Sequence, residues 1–250
     1  KAYQKFVAAF TQGDAKARKI LAEQRALKAD GRYQQPKIDP LLGDIAWNQD
    51  PPYNKMCPEY KGSELSVTGC VATAMAQVMM YYKYPKELKA DIPAYTTATN
   101  KLKVNAISKG EKYDWDNMLP TYTEGEYNTT QADAVAKLMF HCGAAVQMDY
   151  GDSSGALVRP EDMSTYFGYD ADLLQEVYRS VYTLAEWKKI LDRELEAKRP
   201  ILYGGVASNE NGHLFVCDGS DGEGLYHINW GWSGDSDGYF DITLLDPDVR

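Results

Sequence analysis

Residues 68–77 read Thr68-Gly69-Cys70-Val71-Ala72-Thr73-Ala74-Met75-Ala76-Gln77, and the interpretation of the whole chain depends on them. They predict a cysteine in the first turn of a helix that continues to about Lys83, where Tyr84-Pro85 ends it. Thr68 is the predicted N-cap, because its hydroxyl can accept a hydrogen bond from a backbone N–H. Gly69 admits the chain without a Cβ clash. A thiol at a helix N-terminus lies at the positive end of the helix dipole, which favours the nucleophilic thiolate.

Composition and charge narrow the class of protein. The chain has 250 residues, of which 44% are hydrophobic and 25% charged, values typical of a globular protein with a sizeable core. Its formal charge is −9 and it has no basic run interleaved with aromatic residues, so we expect no nucleic-acid partner. No apolar run approaches the roughly 18 residues of a membrane-spanning helix, so no membrane span is predicted. Because the chain begins at Lys1 rather than Met, we interpret it as a processed or trimmed product.

The cysteines do not follow the spacing of a metal site, and we predict neither a metal nor another cofactor. They are Cys57, Cys70, Cys142 and Cys217. A chain of this size does not need disulfides for stability, so no structural disulfide is predicted. Cys142 and Cys217 lie in apolar runs and are predicted to be buried thiols.

The predicted elements change from helices to strands along the chain. Residues 2–29 are predicted to form two short helices, followed by an extended linker at 33–36 and loops at 38–60. Apolar residues share one face of a helix over 131–142, and Gly143 is predicted to end it. A strand over 146–150 and a flexible loop over 151–155 follow. Two more helices are predicted over 160–167 and, after a Thr183/Glu186 capping box, over 184–198.

Four strands separated by polar turns are predicted after Pro200, at the spacing of an antiparallel sheet: 201–207, 213–218, 225–230 and 239–243. Helices therefore dominate the first part of the chain and strands the last. This order predicts an α+β fold in which a helical lobe and a β lobe flank a cleft.

Three histidines are candidates for the base that would serve Cys70. His141 lies in the last turn of the predicted helix over 131–142, where a cation interacts well with the dipole, so we interpret it as structural. His227 alternates with its neighbours inside a strand and is interpreted as a strand-face residue. His213 begins a strand and follows Cys70 by 143 residues (213 − 70), within the roughly 130–150 residues expected of papain-like enzymes. His213 is therefore the favoured base.

Further residues complete this candidate site. Asn229 lies 16 residues beyond that histidine (229 − 213), on the neighbouring predicted strand, where its amide can orient the imidazole. The backbone N–H of Cys70 and the side chain of Gln49 are candidate donors to the oxyanion that forms during acyl transfer. Trp230 and Trp232 are predicted to shield the imidazole from water. The order Gln, Cys, His, Asn is much more specific than any of these residues alone.

Several motifs of the chain form a recognisable set: Trp47-Asn48-Gln49, Pro52-Tyr53-Asn54, Thr68-Gly69-Cys70-Val71-Ala72-Thr73-Ala74, Met148-Asp149-Tyr150-Gly151, Gly212-His213-Leu214-Phe215-Val216-Cys217-Asp218-Gly219 and His227-Ile228-Asn229-Trp230-Gly231-Trp232. Together they resemble the streptopain/interpain family of secreted bacterial cysteine peptidases. The resemblance covers about residues 36–245. It does not extend to the Cys-Gly-Ser-Cys-Trp signature of papain itself.

The resemblance implies a papain-like two-lobed fold and a secreted endopeptidase that is made as a zymogen and acts on proteins or peptides. It implies that Cys70 is the nucleophile, His213 its partner and Gln49 the oxyanion donor. It also implies that Trp230 packs at the histidine, and Asn229 matches the family motif.

The resemblance further divides the chain into residues 1–34, as the remnant of a propeptide, and residues 35–250, as the peptidase domain. The propeptide is the expected intramolecular inhibitor, and we expect a monomer. The domain ends at Arg250, where the family continues through a glycine-rich loop, so its C-terminal end is expected to be incomplete.

Two other functions use the same residues. A papain-like acyltransferase or deamidase would use these residues on a different acceptor, and a catalytically silent binding module would carry out no reaction. The binding module is disfavoured because Gln49, Cys70, His213 and Asn229 are all present, whereas a decayed site would have lost at least one.

Overall fold

A computed structural model describes residues 33–206 and 212–245. The helices predicted within residues 2–29 and the turn predicted at 208–212, apart from Gly212, lie outside the described residues. The chain divides into two compact units. Among the described residues, the sheet unit comprises 33–43, 177–206, 212–230 and 235–245, and the helical unit comprises Asp44–Glu176 and Gly231–Gly234.

The described elements follow one another in this order: β1 (Lys37–Ile38), β2 (Glu59–Lys61), β3 (Glu64–Leu65), α1 (Cys70–Tyr82), β4 (Tyr95–Thr96), β5 (Lys103–Val104), a 3₁₀ turn (Trp115–Asn117), α2 (Thr129–Ala145), α3 (Pro160–Phe167), a second 3₁₀ turn (Arg179–Val181), α4 (Leu184–Glu196), β6 (Ile201–Val206), β7 (Gly212–Asp221), β8 (Tyr226–Asn229) and β9 (Gly238–Phe240). Helices thus combine with an antiparallel sheet, which confirms the predicted α+β class. In the part of the chain that the structure describes, none of the helices has the length and apolarity needed to cross a bilayer.

Helices α1 and α2 pack on each other and form the core of the helical unit. The alanines of α1 and its methionines Met75 and Met79 are buried in this core. The thiol of Cys142 on α2 lies 3.6 Å from the sulfur of Met79 on α1. The face predicted for α2 is buried as expected: Ala134, Val135, Leu138, Met139 and Cys142.

Gly143 does not end α2, contrary to the prediction, because the helix continues to Ala145. A Cβ at Gly143 would collide with the hydroxyl of Tyr150. This glycine is therefore required by a close contact and not by a helix end.

The strand predicted over 146–150 is also largely wrong. Val146 caps α2, Gln147 has a positive φ of 52°, and only Asp149 makes a β-bridge, to Gly155. Residues 149–155 form a closed loop, since backbone hydrogen bonds join Asp149 and Gly155 in both directions.

The five-stranded sheet has the order β1-β7-β8-β9, with β6 also paired to β7, and every pairing is antiparallel. It contains a strand at each of the four predicted places, although β9 ends at Phe240, three residues before the predicted end. The strand β1 was not predicted, because it has two residues inside a proline-rich stretch. The side chain of Gln35 fastens this segment by donating to the carbonyl of Leu225 at 3.2 Å and accepting from the N–H of Gly224 at 2.7 Å.

The capping box predicted at Thr183 and Glu186 is present at the start of α4. The helix ends at Glu196, two residues before the predicted end, and packs on β6 and β7. Its Trp187 donates a hydrogen bond to the hydroxyl of Tyr203 on β6, at 3.0 Å. Both ends of this helix therefore agree with the sequence to within two residues.

His141 is structural, as predicted, but for a different reason. It is 5% exposed, and its Nδ1 lies 3.0 Å from the hydroxyl of Tyr113. Burial lowers the pKa of His141 to about 4, with a smaller contribution from Lys137. The ring is therefore neutral at pH 7 and does not act as a cation at the helix dipole.

This histidine predicts how stability depends on pH. Because the folded pKa lies below the usual value near 6.5, the unfolded chain binds more protons in acid. The contribution of neutral His141 to the free energy of unfolding is complete above pH 6.5. About 3 kcal/mol of stability is lost as the pH falls from 6.5 through 4. In urea unfolding between pH 7.5 and 4, His141→Gln should lose about 3 kcal/mol less stability than the native chain. Equal losses in the two proteins would contradict the assignment.

Candidate active site

Cys70 is the first residue of α1 and is half-buried. Gly69 precedes it as the N-cap, with φ 86° and ψ 142°. Residues other than glycine rarely adopt this backbone conformation. A Cβ at Gly69 would lie 2.7 Å from both Sδ and Cε of Met148 and 3.0 Å from the carbonyl oxygen of Ser154. The role predicted for this glycine is therefore confirmed, and the tight packing explains it.

Thr68 is not the N-cap, contrary to the prediction. The cap makes no side-chain hydrogen bond, and Thr68 is fully buried with its hydroxyl 2.9 Å from that of Thr73. The helix begins one residue later than the sequence suggested, because Gly69 turns the chain through a positive φ. Thr73 closes the first turn by donating from both its N–H and its hydroxyl to the carbonyl of Gly69, at 3.1 and 3.2 Å.

The structure brings Gln49 to the segment that leads into Cys70. Its carbonyl accepts a hydrogen bond from the N–H of Thr68 at 3.1 Å, and its own N–H donates to the side chain of Asn48 at 2.7 Å. The predicted oxyanion donor is thus hydrogen-bonded to the residue that lies two positions before the predicted nucleophile.

Gln77 makes a buried contact with the 47–49 stretch that sequence reasoning missed. It lies on α1, is fully buried, and its Oε1 accepts from the N–H of Trp47 at 3.0 Å. The indole N–H of Trp47 donates to the carbonyl of Leu119 at 2.9 Å. The 47–49 stretch is therefore fixed to α1. The signal was present in the sequence, since a glutamine seven residues after Cys70 (77 − 70) shares its side of the helix.

The segment Gly231–Gly234 belongs to the helical unit and contains Trp232, one of the two predicted shielding tryptophans. The N–H of Ser233 donates to the carbonyl of Trp47 at 3.0 Å. A Cβ at Gly231, which has φ 75°, would lie 3.1 Å from the methyl group of Thr73. Trp232 therefore lies in a segment that contacts both the 47–49 stretch and the first turn of α1.

His213 lies on β7 opposite Gly205 of β6, and its ring is half-buried. The structure brings it together with Trp230, whose ring centroid is 6.1 Å away at an interplanar angle of 22°. Phe215 makes a similar stacked contact at 5.9 Å. Nε2 of His213 lies 2.9 Å from the carbonyl oxygen of Trp230. Because a carbonyl only accepts, Nε2 carries a proton and Nδ1 is the nitrogen whose protonation changes.

Burial lowers the pKa of His213, and the hydrogen bond to the carbonyl of Trp230 opposes this in part. The environment of the ring in the sheet unit therefore favours neutral imidazole. A positive charge on this ring requires an anion to stabilise it.

Asn229 ends β8 opposite Val216 of β7 and is 3% exposed. The next residue, Trp230, is held by its N–H, which donates to the carboxylate of Asp237 at 2.8 Å. The structure thus places Asn229 in the same hairpin as His213, as predicted. Its proposed action on the imidazole stays a prediction.

The other two histidines make different contacts. Nδ1 of His227 on β8 lies 2.7 Å from the fully buried carboxylate of Asp218 on β7. That carboxylate also accepts from the N–H of Leu42 at 2.9 Å. His227 therefore links β7 and β8, in agreement with its interpretation as a strand-face residue, and His141 is bonded within the helical unit.

Cys70 differs from the other cysteines, all of which the structure describes. Cys57, Cys142 and Cys217 are buried free thiols, as predicted for the last two. Burial raises the pKa of Cys57 to about 12 and raises the pKa values of Cys142 and Cys217 as well. These three thiols are protonated at neutral pH and shielded from a substrate, so the accessible thiol is that of Cys70.

The sequence pattern of the peptidase C10 family matches residues 47–240, which include the Cys70 turn and the His213 strand. The chain belongs to this family. It is 38% identical to streptopain of Streptococcus pyogenes serotype M28 (strain MGAS6180) over 234 residues, which cover 86% of this chain and 58% of streptopain. It is 33% identical to the thiol protease/hemagglutinin PrtT of Porphyromonas gingivalis over 212 residues, covering 84% of this chain and 24% of PrtT.

Solved structures of this family have the same fold. The structure of active wild-type interpain A, a cysteine protease of Prevotella intermedia, matches with a TM-score of 0.77 at 38% identity and covers 86% of this chain and 92% of that chain. A fragment of prointerpain A from the same organism matches with a TM-score of 0.74 at 36% identity, covering 90% and 75%. The predicted membership of the streptopain/interpain family is therefore confirmed. The chain spans 58% of the length of streptopain.

Proposed function

We propose that this peptidase C10 chain is a cysteine endopeptidase that hydrolyses peptide bonds of proteins. The observation that carries the proposal is the difference among the four thiols: three are buried with raised pKa values, and Cys70 is half-buried at the start of α1. Membership of the peptidase C10 family, which matches residues 47–240, supports a peptidase activity for this chain.

In the proposed reaction the Cys70 thiolate attacks the carbonyl carbon of the scissile peptide bond. A thioester forms, and protonated His213 gives its proton to the departing amine through Nδ1. Neutral His213 then takes a proton from water, which attacks the thioester and releases the acid, restoring the thiolate and the imidazolium. Each half of the reaction therefore returns the proton that the other half used.

Negative charge develops on the attacked carbonyl oxygen, and the proposed donors to it are the backbone N–H of Cys70 and the side chain of Gln49. The first N–H groups of a helix have no partner within it, so that of Cys70 at the start of α1 suits this role. The bond between the carbonyl of Gln49 and the N–H of Thr68 supports the role of the glutamine.

On the histidine side, the proposed role of Trp230 is to hold and shield the ring. Its carbonyl keeps the proton on Nε2 of His213, and its indole lies nearly parallel to the imidazole with a centroid separation of 6.1 Å. Asn229 and Trp232 are proposed to assist in orienting and shielding the same ring. Because burial disfavours a charge on His213, the thiolate of Cys70 is the anion that we propose to stabilise its protonated form.

We also propose that residues 1–34 are the remnant of a propeptide that inhibits the peptidase domain, residues 35–250, in a zymogen. The likeness to the prointerpain A fragment supports this proposal. Secretion, a monomeric state and action on protein substrates are proposed from the family resemblance and membership.

Incubation with casein, followed by mass spectrometry of the products, tests this function. Hydrolysis produces peptides whose new α-amino and carboxyl termini pair at the same bonds. An acyltransferase would instead join the acyl group to an added amine, and a deamidase would raise the mass of glutamine side chains by one unit without cutting the chain. Either of the last two results, or intact casein, would contradict the proposal.

A further inference from the structure

We name residues 66–69, the four that precede Cys70, the lead segment, and each of them is held by contacts within the helical unit. Ser66 bonds the carbonyl of Pro58, through its N–H at 3.0 Å and its hydroxyl at 2.8 Å. Thr68 bonds the carbonyl of Gln49, as described above. The position of the thiol thus depends on how this segment is fastened.

Val67 is fastened by the closed loop 149–155. Its N–H donates to the carbonyl of Gly151 at 3.0 Å, and its carbonyl accepts from the hydroxyl of Ser154 at 2.7 Å. The same hydroxyl accepts from the N–H of Gly151 at 3.1 Å. Ser154 is 9% exposed, so its hydroxyl joins the loop to the lead segment away from solvent.

Gly69 is also in contact with this loop. Its Cα faces the carbonyl oxygen of Ser154 and the side chain of Met148, which leave no room for a Cβ. The hydroxyl of Ser154 therefore fixes Val67 while its backbone limits Gly69, on either side of Thr68. Together these contacts set the direction in which the chain enters Cys70.

The outer side of the loop is held by residues 99 and 100. The carboxylate of Asp149 accepts from the N–H of Thr99 at 2.9 Å and from its hydroxyl at 2.7 Å. These two bonds lower the pKa of Asp149, so the carboxylate remains charged. The side chain of Asn100 donates to the carbonyl of Tyr150 at 2.9 Å. A continuous set of hydrogen bonds therefore runs from residue 99 to the lead segment.

We propose that Ser154 is a positioning residue for the Cys70 nucleophile, acting through its hydroxyl bond to Val67. This inference rests on the proposed function, in which the thiolate of Cys70 attacks the substrate. Ser154 need not touch the substrate for this role. Loss of the hydroxyl frees the carbonyl of Val67 and lets the lead segment shift, and a displacement of about 1 Å between reacting atoms can cost on the order of 100-fold in rate. The loss of rate should therefore appear as a lower kcat, because the proposal leaves the contacts with the substrate unchanged.

The test compares three variants of the full chain on one fluorogenic peptide. Ser154→Ala should lower kcat about tenfold and leave KM within about twofold. Ser154→Thr keeps the hydroxyl and should recover kcat to within about threefold of the native value. Ser153→Ala, which changes the exposed serine next to it, is the matched control and should have native kinetics. Native kcat in Ser154→Ala, a rise in KM in place of the fall in kcat, or no recovery with threonine would each overturn the inference.

Asn100→Ala extends the test if Ser154→Ala does not fold. Asn100 is exposed, so its removal leaves the core intact but frees the carbonyl of Tyr150. It should lower kcat about threefold at unchanged KM, and an unchanged kcat would overturn the inference.

Alkylation by iodoacetamide separates this inference from the proposed function. Mass mapping gives the rate at Cys70 without requiring hydrolysis of any peptide. If the native chain does not cut casein, the proposed function fails, and a tenfold slower alkylation of Ser154→Ala than of Ser153→Ala still supports the positioning role. If the native chain cuts casein and both variants react at the native rate, the positioning role fails alone.

Discussion

Replacing Cys70 by alanine is expected to lower kcat/KM for a casein-derived peptide on the order of 10⁴-fold or more, because no thioester can form. The thiol is half-buried, so its loss leaves little cavity and the melting temperature should stay close to that of the native chain. The measurement is the initial rate of hydrolysis together with the thermal unfolding curve of each protein.

Cys142→Ala is the matched control for that substitution. Its thiol is fully buried against Met79 and has a raised pKa, so the change should lower stability and leave the activity of the folded protein near its native value. Retention of more than about a tenth of the native rate by Cys70→Ala would contradict the assignment of the nucleophile.

Replacing Gly69 by alanine is expected to cost about 4 kcal/mol of stability and to reduce activity at least about tenfold. The backbone at φ 86° disfavours a side chain, and the new Cβ would lie 2.7 Å from buried Met148 and 3.0 Å from the backbone of Ser154. The loop or the helix start must move to relieve this contact, and Cys70 moves with the helix start. Urea unfolding and peptide hydrolysis measure the two effects.

Gly62→Ala provides the comparison for Gly69→Ala. Gly62 has a positive φ of 60°, but a Cβ there would meet nothing within 4 Å. Only the backbone strain applies, so we expect a loss of about 1 kcal/mol and native activity. Equal effects of the two substitutions would show that the contact with Met148 and Ser154 is unimportant.

The sequence predicted the elements that depend on regular patterns. Helix α1 follows from a run of small residues and good helix formers, helix α2 from periodic apolar residues, and the antiparallel sheet from strands separated by polar turns. Cys70 and His213 could be chosen because chemistry demands those residue types and because Cys142, Cys217, His141 and His227 fitted structural positions. The spacing of 143 residues between Cys70 and His213 also suited a papain-like enzyme.

The features that were missed depend on contacts between residues distant in sequence. Thr68 looks like an N-cap locally, but the positive φ of Gly69 and the contact with Thr73 turn its hydroxyl inward. Gly143 resembles a helix end, although the reason for the glycine is the hydroxyl of Tyr150. No local pattern reveals that Ser154 bonds the carbonyl of Val67, 87 residues away.

The interpretation of His141 shows a further limit. Its position in the last turn of a predicted helix suggested a favourable cation, whereas burial keeps the ring neutral. Charge state depends on desolvation, and desolvation depends on what packs over the helix. Sequence periodicity indicates that a face is buried, but not how strongly a group on that face is affected.

Labelling by a thiol-directed epoxide inhibitor, followed by peptide mass mapping, tests the central claim most directly. If Cys70 is the catalytic nucleophile, one label per chain should appear on the peptide that contains Cys70, with complete loss of casein hydrolysis. The buried thiols Cys57, Cys142 and Cys217 should stay unlabelled in the folded protein. A label on any of those three with Cys70 unmodified, or full labelling of Cys70 without loss of hydrolysis, would contradict the claim.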